Sequence, residues 1–202
     1  MAVKKQWYEI VAPKVFEEKV IGETLAAEPK QLIGRKIETS LFELSKDYSK
    51  FYIKLQFQID NIEDSRAFTK FVGHDIMRER IYRMVQRRVR RVDVIMDVRT
   101  KDNVLIRVKT VFVLLRRVNT SIKAATRVKA KEVIEKTLSE SSLDDFVKLI
   151  VSGELAANIR KECNRISPVG GVEIRKSEVQ REKKKLEKAI EVIVNPVNNQ
   201  VL

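Results

Sequence analysis

Between residues 51 and 60 apolar and polar side chains alternate. Phe51, Ile53, Leu55, Phe57 and Ile59 fall on one face, with Lys54, Gln56, Gln58 and Asp60 on the other beside Tyr52. A two-residue period marks a half-buried strand. Stretches 7–11, 36–43 and 66–72 read as shorter strands. The best hairpin joins 92–99 to 104–115. Val92, Val94, Met96 and Val98 alternate with Asp93 and Asp97, Lys101-Asp102-Asn103 supplies turn chemistry, and the long return strand should bend or bulge. A last strand at 172–175 follows the break at Pro168 and Gly170-Gly171.

Helical spacing interrupts and follows these strands. Asp75 is placed to cap a helix running to about Arg90, with Met77, Ile81, Met84 or Val85, and Val89 along one stripe. That stripe should pack on the long strand near Val108 and Phe112. Further helices are expected over 121–138, 143–151 and 155–166, the last with Leu155, Ile159, Cys163 and Ile166 on one face. A fifth, about 178–194, carries Lys183-Lys184-Lys185 and stops near Pro196. Strands come early and helices late, with no βαβα alternation. The pattern therefore predicts an α+β fold: a mostly antiparallel, about seven-stranded barrel-like sheet flanked by about five helices. One domain with an extended N-terminal segment should cover 1–180, leaving a C-terminal helix and tail at 181–202.

Charge changes the picture because of where it lies. The net charge of +13 is concentrated in residues 66–131, which hold 19 Lys+Arg against 5 Asp+Glu, while both flanks are near neutral. That third also holds 13 of the 18 arginines and only 6 of the 23 lysines. A merely solvated face would balance its signs and favour lysine, whereas arginine's planar fork suits bidentate contact with phosphate. The sequence thus points to a surface facing a polyanion. No apolar run approaches the length that spans a bilayer, and no apolar segment follows Lys4-Lys5, so a soluble intracellular protein is expected.

Catalytic chemistry finds little to work with. The six glycines are scattered, and no phosphate-binding loop appears. The single cysteine, Cys163, lies on an apolar helical stripe and reads as a small buried hydrophobe. The single histidine, His74, reads as structural or as an RNA contact before it reads as a general base. Asp93 and Asp97 lie four apart on one strand face, too far along it for a tight carboxylate pair, and should balance neighbouring arginines. No metal site, cofactor or small-molecule substrate is expected, and no enzyme.

The sharpest feature is the spacing of Arg80, Arg83, Arg87 and Arg90, which would form one stripe on a helix, widened by Arg88 and Arg91, with Arg78 near its start. Like charges at these spacings repel, and a phosphate backbone would relieve the repulsion. A basic amphipathic helix can also lie on anionic lipid, but this one has no Trp or Phe on its apolar face. A second cluster comprises Arg116, Arg117, Lys123, Arg127, Lys129 and Lys131, with Asn119, Thr120 and Ser121 as small polar donors to sugar and phosphate. Aromatic residues are few in this third (Phe68, Phe71, Tyr82 and Phe112), so backbone and shape recognition of folded RNA fits better than a stacking platform. Charge alone leaves a free RNA chaperone or a translation initiation factor open.

Several stretches are familiar in order and spacing. They are Lys5-Gln6-Trp7-Tyr8 with Ala12-Pro13 and Phe16, Gly73-His74-Asp75, Thr100-Lys101-Asp102, Arg116-Arg117-Val118-Asn119-Thr120-Ser121, and Val172-Glu173-Ile174-Arg175-Lys176. Through them the chain resembles the archaeal and eukaryotic small-subunit ribosomal protein family eS-one, or S-three-a-e, in its archaeal form. The resemblance covers about residues 5 to 180. It implies a seven-stranded barrel-like sheet flanked by helices, a structural role on the small-subunit platform near the mRNA exit, and a cytoplasmic location. It further implies contacts with small-subunit rRNA and neighbouring ribosomal proteins, with mRNA as a candidate contact near the exit, and no catalytic activity.

Overall fold

A computed structural model of the chain describes residues 5–180. Strands β1 (Gln6–Val11) and β2 (Val20–Ala26) form an antiparallel hairpin. Strand β3 (Lys36–Ser40) follows and stops at Ser40, whose Oγ accepts the Phe42 N–H and so opens the short helix α1 (Leu41–Ser45). The strand expected over 36–43 is therefore cut short by its own capping serine. Strands β4 (Ile53–Glu63) and β5 (Arg66–Ile76) pair as a long hairpin through a tight turn in which Asp64 has φ of 52°. Helix α2 (Arg78–Met84) leads to β6 (Arg90–Arg99) and β7 (Leu105–Leu114), the hairpin expected from the sequence, with Asn103 left-handed at its turn.

Three helices then run in succession: α3 (Thr120–Glu140), α4 (Leu143–Ser152) and α5 (Glu154–Asn164). Ser142 caps α4 by accepting the Asp145 N–H. Gly153, at φ of 87°, ends α4 and begins α5, a left-handed position that suits a residue without Cβ. The final described strand, β8 (Val169–Val179), is much longer than the four residues expected and occupies the first positions assigned to a C-terminal helix. The rest of that expected helix lies outside the described residues.

The eight strands make one sheet that forks at β5. β4 pairs along one edge of β5. The other edge is shared by β1, parallel from Glu9↔Arg66 to Val11↔Phe68, and β8, antiparallel from Gly73↔Glu178 to Asp75↔Lys176. β8 continues to β7 and β7 to β6. β1·β5 is the single parallel pairing among the described strands, so the sheet is mostly antiparallel as expected, but it does not close into a barrel. The expected bulge in the long return strand is present against β8, at Lys109/Thr110 and Val113/Leu114.

Helices α3–α5 cover β6–β8. Ala130, Ile134 and Leu138 of α3 and Leu155, Ile159 and Cys163 of α5 meet Val94, Val108, Phe112 and Ile174 in the larger core. A second core joins Leu41, Leu55, Phe57, Phe71 and Val147, so α4 reaches both halves of the sheet. No described helix is long and apolar enough to cross a membrane.

Candidate nucleic-acid interface

The arginine helix expected over 75–90 does not form as one element. Asp75 belongs to β5, where it pairs with Lys54 and Lys176. Helix α2 ends at Met84, Val85 is extended, and Arg88 turns the chain at φ of 67°. Val89, Val92 and Val94 are β-branched residues leading into a strand, where their restricted χ1 packs well, and that preference overrides the helical spacing. The spacing of Arg80, Arg83, Arg87 and Arg90 is thus not a helical stripe. Only Arg78, Arg80 and Arg83 are on α2; Arg87 and Arg88 lie in the turn, and Arg90 and Arg91 begin β6. Ile81 is buried while Val85 and Val89 are half-buried, and α2 packs chiefly on β8 instead of β7.

Topology nevertheless gathers many of these residues. Arg90 is the register partner of Leu114, and Leu114 is in turn the partner of Val169. The turn into β6, the exit from β7 and the entry to β8 therefore share one end of the sheet. The Leu115 N–H donates to the Pro168 carbonyl at 3.0 Å and ties two of these segments together. Arg87, Arg88, Arg90, Arg116 and Arg117 converge there, all exposed and without an ion-pair or hydrogen-bond partner among the described residues. By contrast, Arg66 pairs with Glu9 and Arg107 holds Asp97 through two bonds of 2.7 and 2.8 Å. Arg91 is similarly engaged by Asp93 at 2.7 Å. Both aspartates neutralise arginines as expected.

The same end continues into α3. Asn119 is its N-cap but makes no side-chain capping bond, Thr120 and Ser121 are exposed, and no acidic residue lies in the first turn. Lys123 and Arg127 follow one and two turns on, half-buried; the Arg127 Nε is buried with no acceptor among the described residues, a desolvated donor.

Beside this end a cleft of ≈ 690 Å³ opens between α2, α5 and the start of β8. Arg83, Arg160, Lys161 and Asn164 line it, and its one carboxylate, Glu173, is taken by Arg80 at 2.9 Å. The Arg80 guanidinium also sits 4.7 Å over the Tyr52 ring. Burial raises the Glu173 pKa, and the Arg80 pair opposes that rise. Arg80 is therefore committed to holding α2 on β8, whereas Arg83 faces the cleft unpaired among the described residues. Arg160 and Lys161 were not singled out from the sequence. They lie on α5 away from its apolar stripe, in a third of the chain whose net charge of zero hid them. Pairing of that stripe with a following Arg-Lys was the signal available.

The two residues with catalytic potential are both structural. His74 is fully buried in β5. Its Nε2 lies 2.7 Å from the Ile174 carbonyl, which can only accept, so Nε2 carries the proton and donates. Nδ1 accordingly accepts from the Ser177 hydroxyl at 2.6 Å. Desolvation lowers the imidazole pKa from 6.5 to about 4. Between those pH values the unfolded chain binds more protons than the folded one. Stability is thus fully present above pH 6.5 and falls as pH drops towards 4, by up to about 3 kcal/mol. Urea unfolding at pH 7 and 4.5 reads this loss, and His74→Gln should flatten it; equal losses in wild type and variant would assign it to other groups. Cys163 is fully buried as expected, its thiol 3.8 Å from the Thr126 carbonyl and its pKa pushed up to about 11 by burial. No group of His, Cys, Asp and Glu that could hold a metal ion occurs among the described residues.

Comparison with known proteins gives a class first: the match is to ribosomal proteins. The profile of the Ribosomal S3Ae family covers residues 2–183, and the chain belongs to that family, the one its motifs resemble. It is 38% identical over 187 residues to small ribosomal subunit protein eS1 of Saccharolobus islandicus, covering 93% of this chain and 90% of that one. The protein of the same name from Methanobrevibacter smithii is 40% identical over 176 residues, covering 87% and 91%. That from Methanothrix thermoacetophila is 38% identical over 175 residues, covering 87% and 83%. All three sources are archaeal.

Proposed function

We propose that the protein is a structural constituent of the small ribosomal subunit in the cytoplasm and grips small-subunit rRNA by its phosphates. One observation carries the RNA contact: Arg87, Arg88, Arg90, Arg116 and Arg117 crowd one end of the sheet with no acidic partner among the described residues. Mutually repelling guanidiniums left unneutralised gain most from a polyanion that supplies several anions at once. The cleft beside them, with Arg83, Arg160 and Lys161, and the open first turn of α3 with Asn119, Thr120 and Ser121, extend the same face. Relatives named as small ribosomal subunit protein eS1 supply the assembly. On this reading the protein sits beside neighbouring small-subunit proteins near the platform and the mRNA exit, as its family resemblance implies, with mRNA itself a candidate contact. The role is architectural, since His74 and Cys163 are both occupied in the core.

A high-salt sucrose gradient of small subunits tests this reading. An integral constituent should remain with the subunit after the wash. Its quantitative release to the top of the gradient would instead identify a free RNA chaperone or an initiation factor.

A further inference from the structure

The opposite side of α2 carries a second, smaller hollow of ≈ 180 Å³, formed by Arg78, Ile81 and Tyr82 of α2, Arg91 of β6 and Arg175 of β8. Tyr82 is 71% exposed, although a tyrosine ring is a large apolar surface. It makes no hydrogen bond and no ring contact among the described residues. The other aromatic residues of the basic third behave differently: Phe71 and Phe112 are buried and Phe68 is half-buried. Arg78 is one helical turn before Tyr82, on the same face of α2, and Arg175 reaches the hollow from the sheet. Neither has an ion-pair partner among the described residues, while Arg91 is held by Asp93. The buried Ile81 also lines the hollow. One uncovered aromatic ring and two guanidiniums without ion-pair partners among the described residues therefore share a hollow apart from the cleft lined by Arg83 and Arg160.

Resting on the rRNA reading above, we infer that this hollow takes a single unpaired nucleotide of the rRNA, its base stacked on Tyr82 and its flanking phosphates on Arg78 and Arg175. Every nucleobase offers a π-face, so one exposed ring suits a looped-out base irrespective of its identity. The guanidiniums meet the adjoining backbone with paired N–H donors. A duplex would leave the ring uncovered, because its bases are already stacked. The site is thus selective for an irregular or bulged segment, which the phosphate-gripping end of the sheet is not.

Equilibrium binding of the full chain to small-subunit rRNA, measured across a salt series, separates the two contacts. Tyr82→Ala should lose roughly 5- to 100-fold in affinity with an unchanged salt slope. Tyr82→Phe should stay within about twofold of wild type, because stacking needs the ring and not the hydroxyl. Arg78→Gln with Arg175→Gln should lower the slope by about 1 to 2. Thermal melting of each variant should match wild type, since Tyr82 is on the helix surface and alanine favours the helix. A Tyr82→Ala protein that binds rRNA as wild type does, or a Tyr82→Phe protein that loses as much as the alanine variant, overturns the stacking site. Wild-type protein with no salt-dependent rRNA affinity would instead overturn the rRNA reading itself. If Tyr82→Ala leaves rRNA binding intact but abolishes binding to phosphatidylserine vesicles, the ring faces lipid and the nucleotide site is wrong.

Discussion

Replacing Gly73 with alanine should cost about 3 kcal/mol, the upper part of the range for forcing atoms into a packed site. A Cβ at Gly73 would lie 2.2 Å from the Ser177 backbone oxygen and 3.2 Å from the Ser177 carbonyl carbon. Neither atom belongs to a side chain that could swing aside. The clash falls where β5 joins β8 through only three register pairs, Gly73↔Glu178, His74↔Ser177 and Asp75↔Lys176. Relief by strand separation would loosen the joint that unites the two parts of the sheet and would disturb the bonds that hold His74. For a chain of this size such a loss corresponds to a melting temperature lower by roughly 6 to 12 °C. Gly22→Ala is the matched control, because nothing lies within 4 Å of its would-be Cβ. Equal melting temperatures for the two variants would mean that β5 and β8 are not in this register.

Neutralising Arg87, Arg88, Arg116 and Arg117 together with glutamine is expected to produce the largest change in RNA binding. If each grips one phosphate, log-log plots of affinity against salt should flatten by about 3, from 0.7 to 0.9 for each ion pair lost. The fold should be retained, since all four are exposed and outside the core. A second protein with four lysines replaced by glutamine on the β1–β4 half (Lys14, Lys30, Lys36 and Lys46, all exposed) loses the same net charge. Its slope should stay near that of wild type. If the lysine variant flattened the plot as much as the arginine variant, the affinity would reflect total charge and not the converging turns.

The contrast between helix α2 and hairpin β6–β7 shows what was legible in the sequence. Val92, Val94, Met96 and Val98 alternate against polar neighbours, a local signal that tertiary structure had no reason to override, and the hairpin forms as read. Helices α3 to α5 form close to the ranges expected, with Ser142 capping α4 and Gly153 dividing it from α5. Strand β2 was missed because its exposed and half-buried residues carry no clean period. The arginines were chosen by type and by local charge, and Arg87, Arg88, Arg90, Arg116 and Arg117 do share one end of the sheet. The reason given for their proximity was wrong: pairing of Arg90 with Leu114 and of Leu114 with Val169 unites them, where a helix was expected. Arg160 and Lys161 reach the same region from about 75 residues further along, a distance no local pattern can see.

The position of β8 also sets an order of events for a chain that leaves its own ribosome from the N-terminus. The hairpins β4–β5 and β6–β7 join residues close in sequence, and each can zip soon after emergence. β8 must then slot between β5 and β7, linking Gly73 to Glu178 across more than a hundred residues. Until it arrives, β5 and β7 each present an open row of backbone donors and acceptors, the template on which strands from other chains add. The sheet is therefore complete only when synthesis has passed residue 179, and a chain truncated before β8 has no strand to join the β4–β5 hairpin to the β6–β7 hairpin.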